Sequence, residues 1–390
     1  MLRSRTARRT GWAVGDQALS SLTNFGIAVI AARFVNTSDF GLFGLAIAAY
    51  LLVLVVSRAL TSDPLLIRFS ATARTRSAAS AKSAGTALVI GTATAVLLLL
   101  GSLAAPGQFR LEMIALGLCF PGLLLQDAYR YALFARGSTR SATANDLLWL
   151  VVQSMGVALL VLIGGTTAPL LTAAWGAGAA VGAAYGAYQT GASPRITSSR
   201  EWTAAHRDLS IPFVGEALVT AGANSIVLFA TGALAGLAAV GSLRSASVMF
   251  GPLTVLLLGA NVVALPELVR LRQRSELAMR QPLIALGLVL PLIALMWTAA
   301  LTIIPASVGS TFLGSNWAPG QRVIWPYGVM IAAISCTMAA LLGLRAVEAA
   351  RGAFFARLLA FPCIVAGGLI GAWRAGAQGA AIGLAIGYCV

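Results

Sequence analysis

Ionisable side chains inside long apolar runs are the residues here with most chemistry to offer, because a charge in a nonpolar surround needs a partner or a task. Most fall in the first half: Asp16, Arg58 with Asp63 just beyond it, Asp127 and Arg130, and Asp146. The second half holds Glu216, Glu267 and Arg244. A guanidinium presents a planar fork of donors that matches a carboxylate or a phosphate. Arg58, with apolar residues on both sides, therefore requires an anion, whether Asp63, Asp16 or a substrate phosphate. Asp127 and Arg130 are three apart, so on a helix they can pair on one face. Together Arg58, Arg130, Asp16, Asp63 and Asp127 form the candidate substrate-binding set, and Asp16 and Glu216 are candidates for ion or proton coupling. The competing reading is snorkelling to headgroups, which suits Arg130, Asp146 and Asp63 equally well, with Asp16 capping a helix start.

Much other chemistry is missing. The sole lysine stands in Ser80-Ala81-Lys82-Ser83, outside any phosphate-binding G-x-x-x-x-G-K-[ST] loop, so direct use of ATP is not expected. No GxSxG or HExxH occurs. The one histidine, His206, sits in a polar connector beside Arg207 and Asp208, without a second partner for a triad or a zinc site. Cys119, Cys336, Cys363 and Cys389 lie within apolar runs, form no CxxC pair and read as small apolar residues. No metal or cofactor is expected. Membrane glycosyltransferases and polymerases need a substantial outer loop with catalytic carboxylates or arginine. The longest outer connector, about 306–320, carries no acid, so an enzyme is not expected.

The elements that must position these residues are membrane helices. Of 390 residues, 58% are hydrophobic and 10% charged, with mean hydropathy +0.87. A soluble domain carries roughly 25% charged residues, so lipid must be the solvent. Apolar runs occur near 12–32, 40–60, 84–105, 111–134, 144–164, 168–189, 211–232, 236–264, 283–305, 321–343, 358–373 and 376–390, the last one short. The formal charge of +15 is dealt out in small groups between runs, which argues against nucleic acid. Basic residues concentrate at Arg3, Arg5, Arg8 and Arg9 and on every second connector: Arg68–Lys82, Arg136–Arg140, Arg195–Arg207, Arg270–Arg280 and Arg345–Arg357. The positive-inside rule then puts both termini in the cytoplasm. The first run, interrupted by Asp16, Gln17 and Asn24, reads as an uncleaved span rather than a signal peptide.

The chain repeats itself at an offset near 200 residues. Val14-Gly15-Asp16 aligns with Val214-Gly215-Glu216, Gly41 with Gly241, Pro64–Arg68 with Pro266–Arg270, and Gly178–Gly182 with Gly379–Gly383. The expected fold is all-α, with about 12 transmembrane helices in two pseudo-symmetric six-helix lobes, 1–190 and 211–390, joined by a cytoplasmic connector, 191–210, acting as a hinge. An even span number per lobe makes the repeats parallel, related by an axis along the membrane normal. Glycines at three- and four-residue spacing, Gly176/Gly178/Gly182/Gly186 and Gly376/Gly379/Gly383/Gly387, predict close helix packing.

Several stretches resemble polysaccharide-export flippases of the multidrug/oligosaccharidyl-lipid/polysaccharide (MOP) superfamily. They are Gly11-Trp12-Ala13 leading into Asp16–Phe25, the turn Asn36–Gly41, Gly314-Ser315-Asn316-Trp317, and the Gly-Ala-x-Gly-Ala-Ala stretch at 376–381. The resemblance covers the whole layout but only short stretches of sequence. It implies two lobes around a central cavity that alternates between inward- and outward-facing states. It also implies a polyprenyl-diphosphate-linked oligosaccharide as cargo, moved to the outer leaflet of the plasma membrane for cell-surface polysaccharide biosynthesis. The partners it implies are that lipid-linked substrate, membrane lipids and the polysaccharide biosynthesis enzymes. The alternatives are a cation-coupled drug antiporter of the same fold and a membrane-embedded glycosyltransferase or polymerase.

Overall fold

The computed structural model describes residues 26, 28–70, 73–347 and 349–389. Every regular element among them is helical. Runs of apolar residue types dictate this, since a backbone in lipid must satisfy its own hydrogen bonds. After a helical segment at 28–34 come α1 Thr37–Leu60, α2 Ser62–Phe69, α3 Ala73–Ser102, α4 Gly107–Ala135, α5 Thr139–Leu162 and α6 Ala168–Thr190. Then follow α7 Ser199–Ala205, α8 Arg207–Ala235, α9 Leu237–Met249, α10 Gly251–Arg274 and α11 Glu276–Ile303. The chain closes with α12 Ala306–Leu313, α13 Trp317–Arg322, α14 Ile324–Ala346 and α15 Ala350–Cys389.

Nine helices among the described residues are long and apolar enough to cross a membrane, and α9 with the start of α10 forms a tenth candidate bent by 55°. The helix α15 is in fact two, broken by non-helical backbone at Ala375 and Gly376. Gly376 has φ of +56°, a conformation that side chains with a Cβ resist. The chain doubles back there, because Gly371 lies against Gly379, Gly367 against Gly383 and Ile364 against Gly387. The runs at 358–373 and 376–390 are therefore separate helices. The remaining run, 12–32, falls mostly outside the described residues, as does Asp16.

Among the described residues two compact units emerge, one spanning 46–221, the other 28–45 and 222–390. The chain crosses between them inside α1, at Leu45/Ala46, and inside α8, at Ala221/Gly222.

In the first unit, α4 is central and packs on α3 and α6. Its core holds Phe120, Leu123, Leu124 and Tyr129, with Tyr50 of α1 set edge-on to Trp175 of α6 at 4.8 Å. The glycines of α6 make this possible: a Cβ at Gly176 would meet Cys119, at Gly178 Trp149, at Gly182 Gln126 and at Gly186 Tyr129. Close helix packing is thus what these glycines provide. The connector is folded too. Arg195 donates its N–H to the Ala81 carbonyl at 2.9 Å, and the carbonyl of Ala192 accepts the Tyr129 hydroxyl at 2.7 Å. Trp202 of α7 is buried with Leu65, Ala79, Ala132 and Ala135, and its indole N–H reaches the Leu60 carbonyl. His206 packs on Trp202, and Arg68 is bridged to Asp208.

In the second unit, the stretch 314–317 closes over the end of the first helical segment. Asn316, fully buried, donates to the carbonyls of Ala32 and Val35 at 2.7 and 2.8 Å. These are orphan acceptors of a helix C-terminus. Asn36 caps α1 by accepting the Asp39 N–H at 2.9 Å. A reciprocal seam joins α1 to α9. A Cβ at Gly41 would strike the carbonyl of Leu237, and one at Gly241 the carbonyl of Thr37. The two contacts are related by the 200-residue offset.

Candidate functional site

The last turn of α1 delivers Arg58 to the C-terminal third of α4. Its Nε donates to Asp127 Oδ2 at 3.0 Å and Oδ1 at 3.2 Å, and its Nη2 to Oδ1 at 2.6 Å. This is the two-pronged geometry that a guanidinium makes with a carboxylate. The Arg58 side chain keeps 29% of its surface exposed, while Asp127 keeps 7%. The ring of Tyr131 lies 5.1 Å from the guanidinium carbon, a cation–π contact.

One helical turn along α4, Arg130 forms a second pair with Asp146 of α5, Nε to Oδ2 at 2.8 Å. Arg130 is more buried than Arg58, at 13% exposed, and Asp146 is 9% exposed. Asp146 also accepts from the Gln126 side-chain amide at 3.1 Å. Gln126 bonds in turn to Asn145, which donates to the Gly182 carbonyl at 2.8 Å and to Gln189 at 3.1 Å. Small Gly182 lets α6 approach closely enough for its backbone to enter this network. The Arg130–Asp146 pair is therefore held from three helices.

Two sequence expectations are corrected here. Asp127 and Arg130, though three apart, do not pair with each other: Asp127 turns to α1 and Arg130 to α5. The counter-ion of Arg58 is Asp127, not Asp63; Asp16 lies outside the described residues. The snorkelling reading also fails for Arg130 and Asp146, which are buried in an ion pair. Asp63, on α2, is half-buried and within electrostatic reach of Arg58, Asp127 and Glu216 of α8. The structure thus brings Arg58, Asp63, Asp127, Arg130, Asp146 and Glu216 into one charged neighbourhood within the first unit. Just past α4, burial and the nearby Arg76 push the Arg136 guanidinium down from its ordinary value.

Other candidates lie elsewhere. Arg244, on α9 in the second unit, packs its methylenes on Gly44, and its Nε has no hydrogen-bond partner among the described residues. Glu267 pairs with Arg270 at 3.1 Å on an exposed helix turn. Sequence reasoning passed over Gln126, Asn145 and Glu112. Glu112 is buried and accepts the Thr172 hydroxyl at 2.5 Å. The available signal was uncharged amides inside apolar runs, each needing partners that only another helix could supply. No group of three or more metal-ligating side chains gathers among the described residues.

No family model matches the chain, and no curated protein matches it. Solved structures do. An inward-facing multidrug resistance MATE family transporter of the MOP superfamily superposes with TM-score 0.76 at 15% identity, over 95% of this chain and 91% of that one. The lipid II flippase MurJ in an inward closed conformation gives 0.75 at 11% identity, over 98% and 85%. An outward-facing MATE transporter of the same superfamily gives 0.60 at 14% identity, over 98% and 92%. At these identities the likeness establishes the fold, that of a MATE- and MurJ-type multi-pass membrane protein.

Proposed function

We propose that this protein flips a polyprenyl-diphosphate-linked oligosaccharide from the cytoplasmic to the outer leaflet of the plasma membrane by alternating access, with both termini in the cytoplasm. The observation that carries the reading is Arg58. It is a guanidinium at the end of a membrane helix, still partly exposed, and held by a single carboxylate that an incoming anion can displace. A diphosphate offers the same paired oxygens as Asp127 with more charge. Support also comes from the likeness in fold to a lipid II flippase. Arg58 would bind the diphosphate, Arg130 would add positive potential behind it, and Asp127 would hold Arg58 between cycles. With no ATP-binding loop, the driving force would be the membrane potential, which acts on each moving charge by about 2.3 kcal/mol per 100 mV.

A second reading is cation-coupled drug antiport. The multidrug MATE transporter superposes equally well, and the site holds more carboxylates than guanidiniums. Competition separates the two. Purified protein should bind a prenyl-diphospho-sugar with micromolar or better affinity and a lipophilic cationic dye weakly. The reverse order would establish the antiporter reading instead.

A further inference from the structure

We propose that Arg244 and the polar side chains around it form a sugar subsite within the second unit, and that the subsite takes an acidic sugar of the cargo, with the sugar's carboxylate on the Arg244 guanidinium. The inference rests on the lipid-linked oligosaccharide reading above and names the class of sugar within it.

Arg58 and Arg130 each hold an aspartate. Arg244 does not. It stands on α9, part of a candidate membrane span, yet no carboxylate pairs with it among the described residues, and its buried Nε has no hydrogen-bond partner there. The group within electrostatic reach of it is Tyr327, and a phenol is no counter-ion at neutral pH. A cation left this way inside a membrane bundle needs an anion from outside the protein. Its stem is fixed in advance, since a Cβ at Gly44 would meet the Arg244 Cγ at 3.3 Å.

The company of Arg244 is neutral, aromatic and rich in hydroxyls. Ser247, three residues on along α9, hydrogen-bonds with Tyr327 of α14, whose ring packs 5.3 Å from that of the buried Phe250. Tyr388, in the second half of α15, is within electrostatic reach of Tyr327 and accepts the Asn224 side-chain amide of α8 at 2.6 Å. Because α9 packs on both α14 and α15, these groups gather inside one unit. Asn224 is exposed in the middle of a spanning helix, and Arg244, Ser247, Tyr327 and Tyr388 are half-buried. An open amide at that depth belongs on a surface facing water or cargo, since lipid offers it no partner. Amides and hydroxyls meet the ring hydroxyls of a sugar, and tyrosine faces pack on its C–H side. Charge then selects the kind of sugar. Arg244 is the one cation acting on Tyr327 among the described residues, so a single negative charge neutralises the subsite. A uronate brings that charge as the planar pair of oxygens that a guanidinium matches. A diphosphate brings at least two charges, which suit Arg58 with Arg130 behind it.

The test uses the full-length protein in detergent and calorimetric titration with three probes. They are farnesyl-diphospho-glucuronate, farnesyl-diphospho-glucose, which replaces the carboxylate by a hydroxymethyl group, and farnesyl diphosphate, which has no sugar. Wild type should bind the glucuronate probe about tenfold tighter than the glucose probe, the gain of a charge-assisted pair over a neutral hydrogen bond. Arg244→Gln should bring the two sugar probes to equal affinity. Arg244→Lys should keep only part of the preference, and it carries the same test if the glutamine variant does not fold. Tyr388→Phe and Asn224→Ala should weaken both sugar probes. Equal binding of the two sugar probes by wild type, or a preference undiminished by substitution of Arg244, overturns this inference and leaves the flippase reading standing. So does a loss of farnesyl diphosphate binding in the Arg244 variants as large as the loss of the glucuronate probe, which would assign Arg244 to the diphosphate. No binding of any probe by wild type overturns the flippase reading and this inference together.

Discussion

The two ion pairs of the first unit should respond differently to removal of their carboxylates. Asp146→Ala strands Arg130, whose side chain is 13% exposed, and also orphans the Gln126 amide that bonded to Asp146. Breaking a buried pair from one side costs about 3–5 kcal/mol, because an uncompensated charge stays behind. The lost amide bond adds about 0.6 kcal/mol, the average for a hydrogen bond between membrane helices. For a unit of about 200 residues, at roughly 2 °C per kcal/mol, the melting midpoint should fall by about 7–11 °C. Asp127→Ala strands Arg58, which keeps 29% of its surface exposed and can turn toward solvent or headgroups. Partial screening should hold that loss to about 1 kcal/mol, or about 2 °C. Thermal unfolding of purified protein, followed by tryptophan fluorescence or fluorescence size-exclusion, measures both. The double variant Arg130→Ala/Asp146→Ala should be more stable than Asp146→Ala alone, since it removes the stranded charge. Equal losses for Asp146→Ala and Asp127→Ala, or a double variant that simply sums its singles, would refute the division into a structural pair and a working pair.

Further outcomes follow from the packing and the charge layout. Gly41→Val or Gly241→Val would drive a side chain into the backbone carbonyls of Leu237 or Thr37. Each should leave the protein in the membrane but cut transport at least tenfold; transport at wild-type rate would show that the seam between α1 and α9 does not need to close. Gly186→Leu places bulk against Tyr129 and should lower the melting midpoint by several degrees, at about 1–3 kcal/mol for overpacking. In a background lacking the four native cysteines, Ser77→Cys, Ser198→Cys and Ser275→Cys should resist an impermeant thiol reagent in intact cells, while Ser315→Cys reacts; labelling at 198 would invert the proposed topology. Flipping in proteoliposomes should slow when a potassium-diffusion potential is collapsed at equal pH, and an unchanged rate would exclude the potential as driving force.

Long-range architecture was the most legible part of this sequence. Apolar runs of spanning length mark the membrane helices but not their ends: the run at 84–105 overlaps a helix that starts at Ala73, and the run at 236–264 is two helices that meet at Phe250. The repeat was legible because equivalent glycines are required wherever two backbones meet, as at Gly41 and Gly241. Pairing of charges was less legible. Spacing along one helix suggested Asp127 with Arg130, but the partner of each is decided by which neighbouring helix its face meets, and that is tertiary information. The folded connector was also hidden, since its polar residues outnumber the one apolar anchor, Trp202, that fixes it beneath α1 and α4. Buried amides such as Asn145 carry no periodic signal at all, and their role appears only once three helices are assembled around them.

The central claim is that Arg58 exchanges between Asp127 and the diphosphate of a lipid-linked cargo. Its most direct measurement is the rate at which wild type and Arg58 variants, reconstituted in equal amounts, flip a fluorescent polyprenyl-diphospho-oligosaccharide across proteoliposomes. Wild type should flip it, Arg58→Ala should reduce the rate to that of empty vesicles, and Arg58→Lys should recover only a fraction, because an ammonium lacks the planar fork. Flipping by folded Arg58→Ala at the wild-type rate would contradict the account.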